Sequence, residues 1–210
     1  PTLVRLTQPY LLARTELSQA VWNAVQRSRP ADERRRDPSS NISGDRPVHG
    51  VSWQDVVEFC DQVGLRLPTE AEWAYAAQAG RSGPYAFGST MTREQAAFGL
   101  RRRTDGPLPV ASFPPNEFLF FDTHGNVREW VLDRWGDLPG ETRQPIVDYV
   151  SNAASTFGPP LRVLRGGWYL DDLANVRTAR REPENQEFGQ SGAGFRPAAS
   201  IPSSNEDGSE

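Results

Sequence analysis

Eight residues between positions 168 and 185 combine aromatic rings with carboxylates, amides and a guanidinium. They are Trp168, Tyr169, Asp171, Asp172, Asn175, Arg180, Glu184 and Asn185. Aromatic side chains beside hydrogen-bonding groups suit the binding of peptides or sugars, so the loop 168–190 is a candidate recognition surface. The alternative is structural: the two aromatic rings pack in the core, and the adjacent carboxylates pair with Arg177 or Arg181.

The adjacent carboxylates Asp171 and Asp172 also suggest acid–base chemistry. A carboxylate near a reacting group can accept or donate a proton, so a hydrolase or effector is one functional hypothesis. Neighbouring carboxylates of this kind are, however, usually ordinary loop residues.

A second candidate site is the run Asp122-Thr123-His124-Gly125-Asn126-Val127-Arg128-Glu129. The run supplies two carboxylates around tight turns, and hard cations such as Ca²⁺ take carboxylate and carbonyl oxygens as ligands. The alternative is that Asp122 and Glu129 pair with arginines such as Arg128 or Arg165 and stabilise the turn.

The remaining reactive side chains are one cysteine, Cys60, and two histidines, His49 and His124. A single cysteine excludes an internal disulfide, and Cys60 falls on the apolar face of a predicted helix. Both histidines lie in turns flanked by apolar residues. We therefore expect hydrogen-bonded structural histidines rather than metal ligands.

Charge and composition argue against several classes of protein. The 210 residues carry a formal net charge of −4 and a sequence pI of 5.4, whereas nucleic-acid binders usually gather a basic excess on one face. No apolar run reaches the roughly 20 residues that span a bilayer, and the first residues do not resemble a signal peptide. We expect neither a nucleic-acid partner nor a membrane span. The compartment stays open, with the cytoplasm favoured.

Short elements separated by glycine and proline must position the candidate residues. A helix is predicted over residues 15–26, with Thr15 as its cap. Two capping-box patterns, at Ser52 and Thr69, predict helices that run to Gly64 and to about Ala79. These helices contribute apolar faces to a core.

Strands are predicted by short apolar runs between turn residues. They are expected within residues 3–12, 161–165, 176–181 and 194–197. This order makes an α+β domain with its sheet late in the sequence. We expect a single domain over residues 1–199 and a flexible acidic tail over residues 200–210.

Five motifs then occur in a fixed order: GVSWQDVVEFC, GLRLPTEAEWAYAAQAG, HGNVREW, LRGGWY and GFRPA. Together they resemble the formylglycine-generating enzyme (sulfatase-modifying factor) family, from about Thr15 to Ala198. The resemblance implies a C-type-lectin-like fold with two main helices, small twisted antiparallel sheets and long loops.

The same resemblance implies a chemistry. Active members of the family oxidise a cysteine of a target protein to formylglycine with oxygen, using two copper-binding cysteines just after the GG pair. This chain has Asp171 where the first of them is expected, and the run 168–176 contains no Cys, His or Met. Because cuprous copper prefers sulfur ligands, the chain resembles a noncatalytic member. Neither copper nor iron is expected.

The family resemblance also assigns roles outside that run. One structural Ca²⁺ is expected, held by the side chains of Asp122 and Glu129 and the carbonyls of Gly125 and Val127. Arg196, in the GFR motif, is expected to face a buried carboxylate.

Three functional hypotheses follow from the resemblance. The favoured one is noncatalytic binding of a protein, peptide or carbohydrate through the loop 168–190. The second is an oxygen-dependent oxidase related to formylglycine-generating enzyme, which the missing cysteines oppose. The third is the variable protein of a diversity-generating retroelement, because such proteins resemble this family and end in the same GFR landmark.

Overall fold

The helices form where the sequence supplies caps and apolar faces. The computed structural model describes residues 2–100, 106–141, 143–153, 159–189 and 192–202. Within these ranges the α-helices are α1 (Gln19–Ser28), α2 (Trp53–Gln62) and α3 (Glu70–Gln78). The capping boxes predicted at Ser52 and Thr69 are both present. Among the described residues, no helix combines the length and hydrophobicity that a bilayer crossing requires.

The predicted start of α1 was wrong, because Ser18 and not Thr15 is its cap. The Ser18 hydroxyl accepts from the amide of Val21 at 3.4 Å. The residues just before it are committed elsewhere: the Leu17 amide donates to the carbonyl of Phe195, and the Leu17 carbonyl accepts from Val48. This backbone pairing prevents the helix from starting earlier.

Eight short strands form within the described ranges: β1 (Val4–Arg5), β2 (Tyr10–Leu12), β3 (Arg128–Arg134), β4 (Ile146–Val147), β5 (Leu161–Arg165), β6 (Glu182–Asn185), β7 (Ala193–Gly194) and β8 (Ala198–Ser200). The main sheet has the order β6-β5-β3-β7, with β3 antiparallel to β5 and parallel to β7. The two other pairs are β1 with β4 and β2 with β8. The predictions for β1, β2 and β5 are confirmed.

Two strand predictions need correction. The strand predicted over residues 176–181 is wrong: a 3₁₀ turn spans Leu173–Val176, a turn closes from Arg177 to Arg180, and the strand follows as β6. Val176 suggested a strand because it is apolar, but it is buried in a loop cluster with Tyr85. The strand predicted over residues 194–197 is β7, which ends at Gly194 because the carbonyl of Phe195 pairs with Leu17 instead of the sheet.

The prediction that the tail begins at Ser200 is wrong. Ser200 pairs with Tyr10 in the antiparallel β2–β8 pair. Residues 203–210 lie outside the described residues.

An aromatic cluster joins α1 and α2 to the segment after β7. Trp22 stacks on Phe59 with their ring centroids 5.1 Å apart, and Phe195 packs edge-on against both rings. Cys60 lies in the same cluster, on the core face of α2 as predicted. Such contacts bury large apolar areas, so they contribute much of the driving force for folding.

A buried ion pair crosses this core. The Arg196 guanidinium donates to both carboxylate oxygens of Glu129, with its Nε at 2.6 Å and its Nη2 at 2.7 Å. Its other hydrogen bonds go to the carbonyls of Ala13, Arg14 and Phe121. Both partners are at most 1% exposed. The expectation that Arg196 meets a buried carboxylate is confirmed.

Removing one partner of this ion pair is expected to destabilise the folded protein strongly. We expect Arg196→Met to lower the free energy of unfolding by about 3–5 kcal/mol, because it leaves the Glu129 carboxylate buried without its counter-charge. Urea unfolding followed by tryptophan fluorescence measures the change. The control is Arg180→Met, an exposed arginine for which we expect a change within about 1 kcal/mol. Equal unfolding midpoints for the two variants would contradict the assignment.

Candidate ligand-binding surface and acidic site

A tight turn at Gly166 and Gly167 begins the candidate loop. Both residues have positive φ, at 87° and 79°. A Cβ on Gly167 would lie 2.7 Å from the side chain of Val176 and 2.9 Å from the carbonyl oxygen of Asn175. Glycine is therefore required here, because the run 168–176 returns to pack against the turn from which it starts.

Arg128, the first residue of β3, is the centre of the candidate surface. Its Nη2 lies 3.0 Å from both carboxylate oxygens of Asp171, and its Nε lies 2.7 Å from Glu182. Glu182 also accepts from Arg180 at 3.4 Å. The Arg128 guanidinium lies over the ring of Trp168, 5.3 Å from its centroid. We call these five residues the Arg128 cluster.

The Arg128 cluster balances its own charge, with two guanidiniums against two carboxylates. The side chains of Arg128, Asp171 and Glu182 are 16–21% exposed, so their ion pairs are partly shielded from water. Asp171 also accepts from the amide of Trp168 at 2.9 Å. Because Asp171 is fully engaged, it is poorly placed to act as a general base.

The rings of Trp168 and Tyr169 pack against each other beneath the Arg128 guanidinium. Gly192 passes so close to the indole of Trp168 that a Cβ there would lie 2.8 Å from it. Tyr169 packs edge-on against Trp168 with the ring centroids 5.0 Å apart, and it is 3% exposed. The structure therefore places Tyr169 in the core, where little of its side chain is available to a ligand.

Asp172 caps the 3₁₀ turn Leu173–Val176, which contains Asn175 and follows Asp171 in sequence. The carboxylate of Asp172 accepts from the amide of Asn175 at 3.2 Å and caps the turn. The carbonyl of Leu173 accepts from the Tyr85 hydroxyl at 2.8 Å, which fixes the turn to the underlying loop. Asp172 is exposed and Asn175 is half-buried, so both can be reached from solvent.

Glu184 and Asn185 belong to β6, next to the cluster. Side chains alternate along a strand, so Glu184 lies on the same face as Glu182. Asn185 accepts from the amide of Glu187 at 2.9 Å and shapes the turn after the strand. This turn carries Phe188, a large apolar side chain that is 59% exposed. Residue 190, the end of the predicted loop, lies outside the described residues.

The structure thus connects three of the predicted residues, Trp168, Asp171 and Arg180, through two that the sequence analysis missed. These are Arg128 and Glu182. Arg128 was visible within the HGNVREW motif, but that run was interpreted only as a cation loop. Glu182 was missed because a strand was predicted over residues 176–181. That prediction placed Glu182 just after a strand, whereas the structure has it as the first residue of β6.

Three buried carboxylates lie at the same end of β3 as Arg128, on the opposite face of the strand. Glu16 accepts from the amide of Val127 at 3.1 Å and Asp122 accepts from that of Ala111 at 2.6 Å, while Glu129 pairs with Arg196. We call Glu16, Asp122 and Glu129 the acidic group. Neither Arg128 nor Arg165 pairs with it in the described contacts, since these arginines bind Asp171 and Glu70 instead.

Burial perturbs the protonation of the acidic group. It raises the pKa of Asp122 to about 6, with the Ala111 amide and Arg196 acting in the opposite direction. Burial also raises the pKa of Glu16 well above its ordinary value, and the charges of Asp122 and Glu129 add to this rise. Three acids facing one guanidinium leave an excess of negative charge that a proton or a cation would relieve.

The two carboxylates expected to hold Ca²⁺ retain unused acceptor capacity. The Oδ1 atom of Asp122 is buried and has no hydrogen-bond partner. Glu129 accepts three hydrogen bonds, from Trp73 and Arg196, and a carboxylate has about four lone-pair sites. Among the described residues, no three His, Cys, Asp or Glu side chains form a metal site by themselves. An ion here would therefore also need backbone carbonyls such as those of Gly125 and Val127.

Both histidines have structural hydrogen bonds, as predicted. The Nε2 atom of His124 accepts from the Ala86 amide at 3.0 Å, so its Nδ1 must donate to the carbonyl of Val176 at 2.8 Å. Burial lowers the pKa of His124 to about 4, which keeps the ring neutral. His49 bonds in the same manner to Ser40 and Pro47, and burial lowers its pKa as well.

The chain matches the sulfatase-modifying factor enzyme 1-like domain over residues 3–201. It is 37% identical over 178 residues to the formylglycine-generating enzyme of Streptomyces coelicolor, a match covering 75% of this chain and 54% of that protein. The chain thus spans about half the length of this relative.

Solved structures share the fold. Treponema denticola variable protein 1 superposes with a TM-score of 0.78 at 24% identity, covering 96% of this chain and 87% of that chain. A Major Tropism Determinant variant gives a TM-score of 0.54 at 13% identity, covering 91% and 50%. The expected C-type-lectin-like, formylglycine-generating-enzyme-like fold is confirmed, with three α-helices in the described ranges instead of two main ones.

The thiol of Cys60 is expected to be unreactive in the folded protein. Cys60 is 1% exposed, and burial raises the pKa of its thiol to about 12. Because the thiolate is the reactive form, we expect 5,5′-dithiobis(2-nitrobenzoate) to modify it at least ~100-fold more slowly at pH 8 than in guanidinium-unfolded protein. The release of thionitrobenzoate measures both rates. Similar rates would mean that the thiol is accessible and ionisable.

Proposed function

The chain belongs to the family of sulfatase-modifying factor enzyme 1-like domains, and from that premise we propose that it is a noncatalytic domain that binds a protein, peptide or carbohydrate through the loop 168–190. The observation that carries the proposal is the ion pair of Asp171 with Arg128. It occupies the position at which the family resemblance expects the first copper-binding cysteine. Cuprous copper prefers sulfur ligands, and the one cysteine of the chain is buried in the core.

The Arg128 cluster supports recognition because its side chains are already ordered. Arg128 is held by two carboxylates and by the ring of Trp168, so it loses little conformational freedom when a ligand binds. The cluster is also electrically balanced. It therefore favours ligands with uncharged polar groups, such as peptide backbone or sugar hydroxyls, over strongly charged ones.

Four side chains of the loop can contact a ligand that the buried residues cannot reach. We call Asp172, Arg180, Glu184 and Phe188 the rim. Asp172 and Arg180 are exposed, and Glu184 is half-buried. Phe188 adds an exposed aromatic ring at the turn after β6. Exposed aromatic residues near arginine are frequent anchors of protein interfaces, so the rim favours a protein or peptide ligand.

A triple variant of the rim tests this proposal. Asp172→Ala, Arg180→Ala and Glu184→Ala together should remove most ligand contacts while the Arg128–Asp171 pair stays in place. Biotinylated protein is screened against a random-peptide phage library and a glycan array, and affinities for the enriched ligands are measured by biolayer interferometry. We expect the triple variant to bind at least ~10-fold more weakly.

The matched control changes the same charges elsewhere. Asp61→Ala, Arg27→Ala and Glu33→Ala are exposed positions around α1 and α2, and this variant should bind like the wild type. Equal binding by the rim variant would contradict the assigned surface. Aldehyde formation in a CxPxR peptide, with copper and oxygen present, would overturn the noncatalytic assignment.

We also propose that one structural Ca²⁺ binds at Asp122 and Glu129, with the carbonyls of Gly125 and Val127. Two features support the proposal: the unpartnered Oδ1 of Asp122 and the excess of buried negative charge in the acidic group. A divalent cation would balance that charge. Its role would be to hold the loop before β3 and not to take part in a reaction.

Calcium is expected to raise the melting temperature of the wild-type protein. At about 100 times the dissociation constant, an ion that binds only the folded state stabilises it by about 2.7 kcal/mol. Differential scanning fluorimetry is run with calcium, with magnesium and with a chelator. Asp122→Ala should abolish the calcium response, whereas Asp172→Ala, an exposed carboxylate, should keep it. No change in the wild type on chelation or calcium addition would refute the site.

A further inference from the structure

A cavity of about 1110 Å³ lies between the N-terminal residues 2–10 and α3, and the loop 168–190 contributes Thr178, Ala179 and Arg181 to its lining. Its walls are largely apolar and include Leu3, Leu6, Ala71, Ala74, Tyr75 and Leu138. Pockets for drug-sized ligands usually measure about 300–1,000 Å³ and have mostly apolar linings. The cavity is therefore large enough for such a molecule.

Four polar side chains also line this cavity, and we call them the polar cluster: Glu70, Arg165, Thr178 and Arg181. Oε1 of Glu70 accepts from Arg165 at 2.6 Å and from Arg181 at 2.7 Å. The cavity lining includes all three residues together with Thr178. The side chains of Arg165 and Arg181 lie over the rings of Trp73 and Trp135, which fixes their positions.

This polar cluster contains buried atoms that have no hydrogen-bond partner. They are two guanidinium nitrogens, a hydroxyl oxygen and a carboxylate oxygen: Arg165 Nε, Arg181 Nη2, Thr178 Oγ1 and Glu70 Oε2. Buried polar groups are nearly always hydrogen-bonded, and a cluster that is not needs a reason. The unmet groups include both donors and an acceptor, so a ligand that satisfies them must offer both kinds of group.

The charge of the cluster is balanced without a ligand. Asp133 lies behind it and accepts from the amide of Glu70 at 2.6 Å. The two guanidiniums of Arg165 and Arg181 are thus matched by the carboxylates of Glu70 and Asp133. An added ion would disturb this balance, whereas an uncharged polar head would preserve it.

We propose that this cavity binds a small amphipathic molecule with an apolar body and an uncharged head that both donates and accepts hydrogen bonds, as a carboxamide does. Because the unpartnered atoms are buried behind the cavity wall, their side chains would shift toward the head, so that its carbonyl accepts from the guanidiniums and its N–H donates to Glu70. The site takes Thr178 and Arg181 from the loop 168–190, but its lining includes none of the five residues of the Arg128 cluster and none of Asp172, Arg180 and Glu184, so different variants test the two proposals.

A fluorescent probe tests the cavity. N-phenyl-1-naphthylamine is uncharged and becomes bright in apolar surroundings, and it is titrated into the full chain at pH 7.5. The bound probe is then displaced with octanamide, octanoate or octylammonium, which share one chain length and differ in the head. We expect octanamide to displace it at a concentration at least ~10-fold lower than either ion.

Two variants with matched controls locate the binding. Ala74→Phe fills the cavity from α3 and should weaken probe binding at least ~10-fold, whereas Ala24→Phe, at an exposed position of α1, should not. Thr178→Val keeps the side-chain volume and removes the hydroxyl. It should weaken octanamide binding several-fold and leave probe binding unchanged, with circular dichroism and melting temperature reporting the fold.

Each contrary result overturns a defined part of the proposal. Absence of saturable probe binding, or equal binding by Ala74→Phe and wild type, would show that this cavity takes no such ligand. Displacement by octanoate or octylammonium as readily as by octanamide would refute the uncharged head. Loss of ligand binding at the rim of the loop 168–190 would leave this proposal unaffected.

Discussion

The ion pair between Glu129 and Arg196 constrains most of the domain. Glu129 lies on the central strand β3 and Arg196 lies two residues beyond β7, so their contact brings the last motif of the chain onto the main sheet. The same guanidinium bonds the carbonyls of Ala13, Arg14 and Phe121. A buried charge that lost these partners would be costly. The segments before α1, before β3 and after β7 must therefore fold together.

The two faces of β3 differ in their electrostatics at the end where the strand begins. At Arg128 the guanidinium is paired with the carboxylates of Asp171 and Glu182, and these polar side chains are partly exposed to solvent. One residue later, Glu129 joins two further buried acids that face one guanidinium. Neighbouring positions of one strand thus carry the proposed recognition surface on one face and a charge-rich interior on the other, as strand alternation requires.

Local signals predicted part of this architecture, and contacts between distant residues decided the rest. The caps at Ser52 and Thr69 act within four residues, so the starts of α2 and α3 could be read from the sequence. β3 could not, because Glu129 and Asp133 interrupt its apolar pattern and are buried only through distant partners. The same holds for the site. Asp171 was identifiable from the motif, but its partner Arg128 lies 43 residues away in sequence.

The glycine turn at positions 166 and 167 fixes the ends of the run 168–176, whereas exposed positions within the run contribute little to the stability of the fold. Gly167 and Val176 hold the two ends of the run against each other, while Asp172 and Ala174 between them are exposed. Substitutions at exposed positions usually change stability by less than about 0.5 kcal/mol. The side chains that this loop presents can therefore differ among proteins of this fold without loss of the fold.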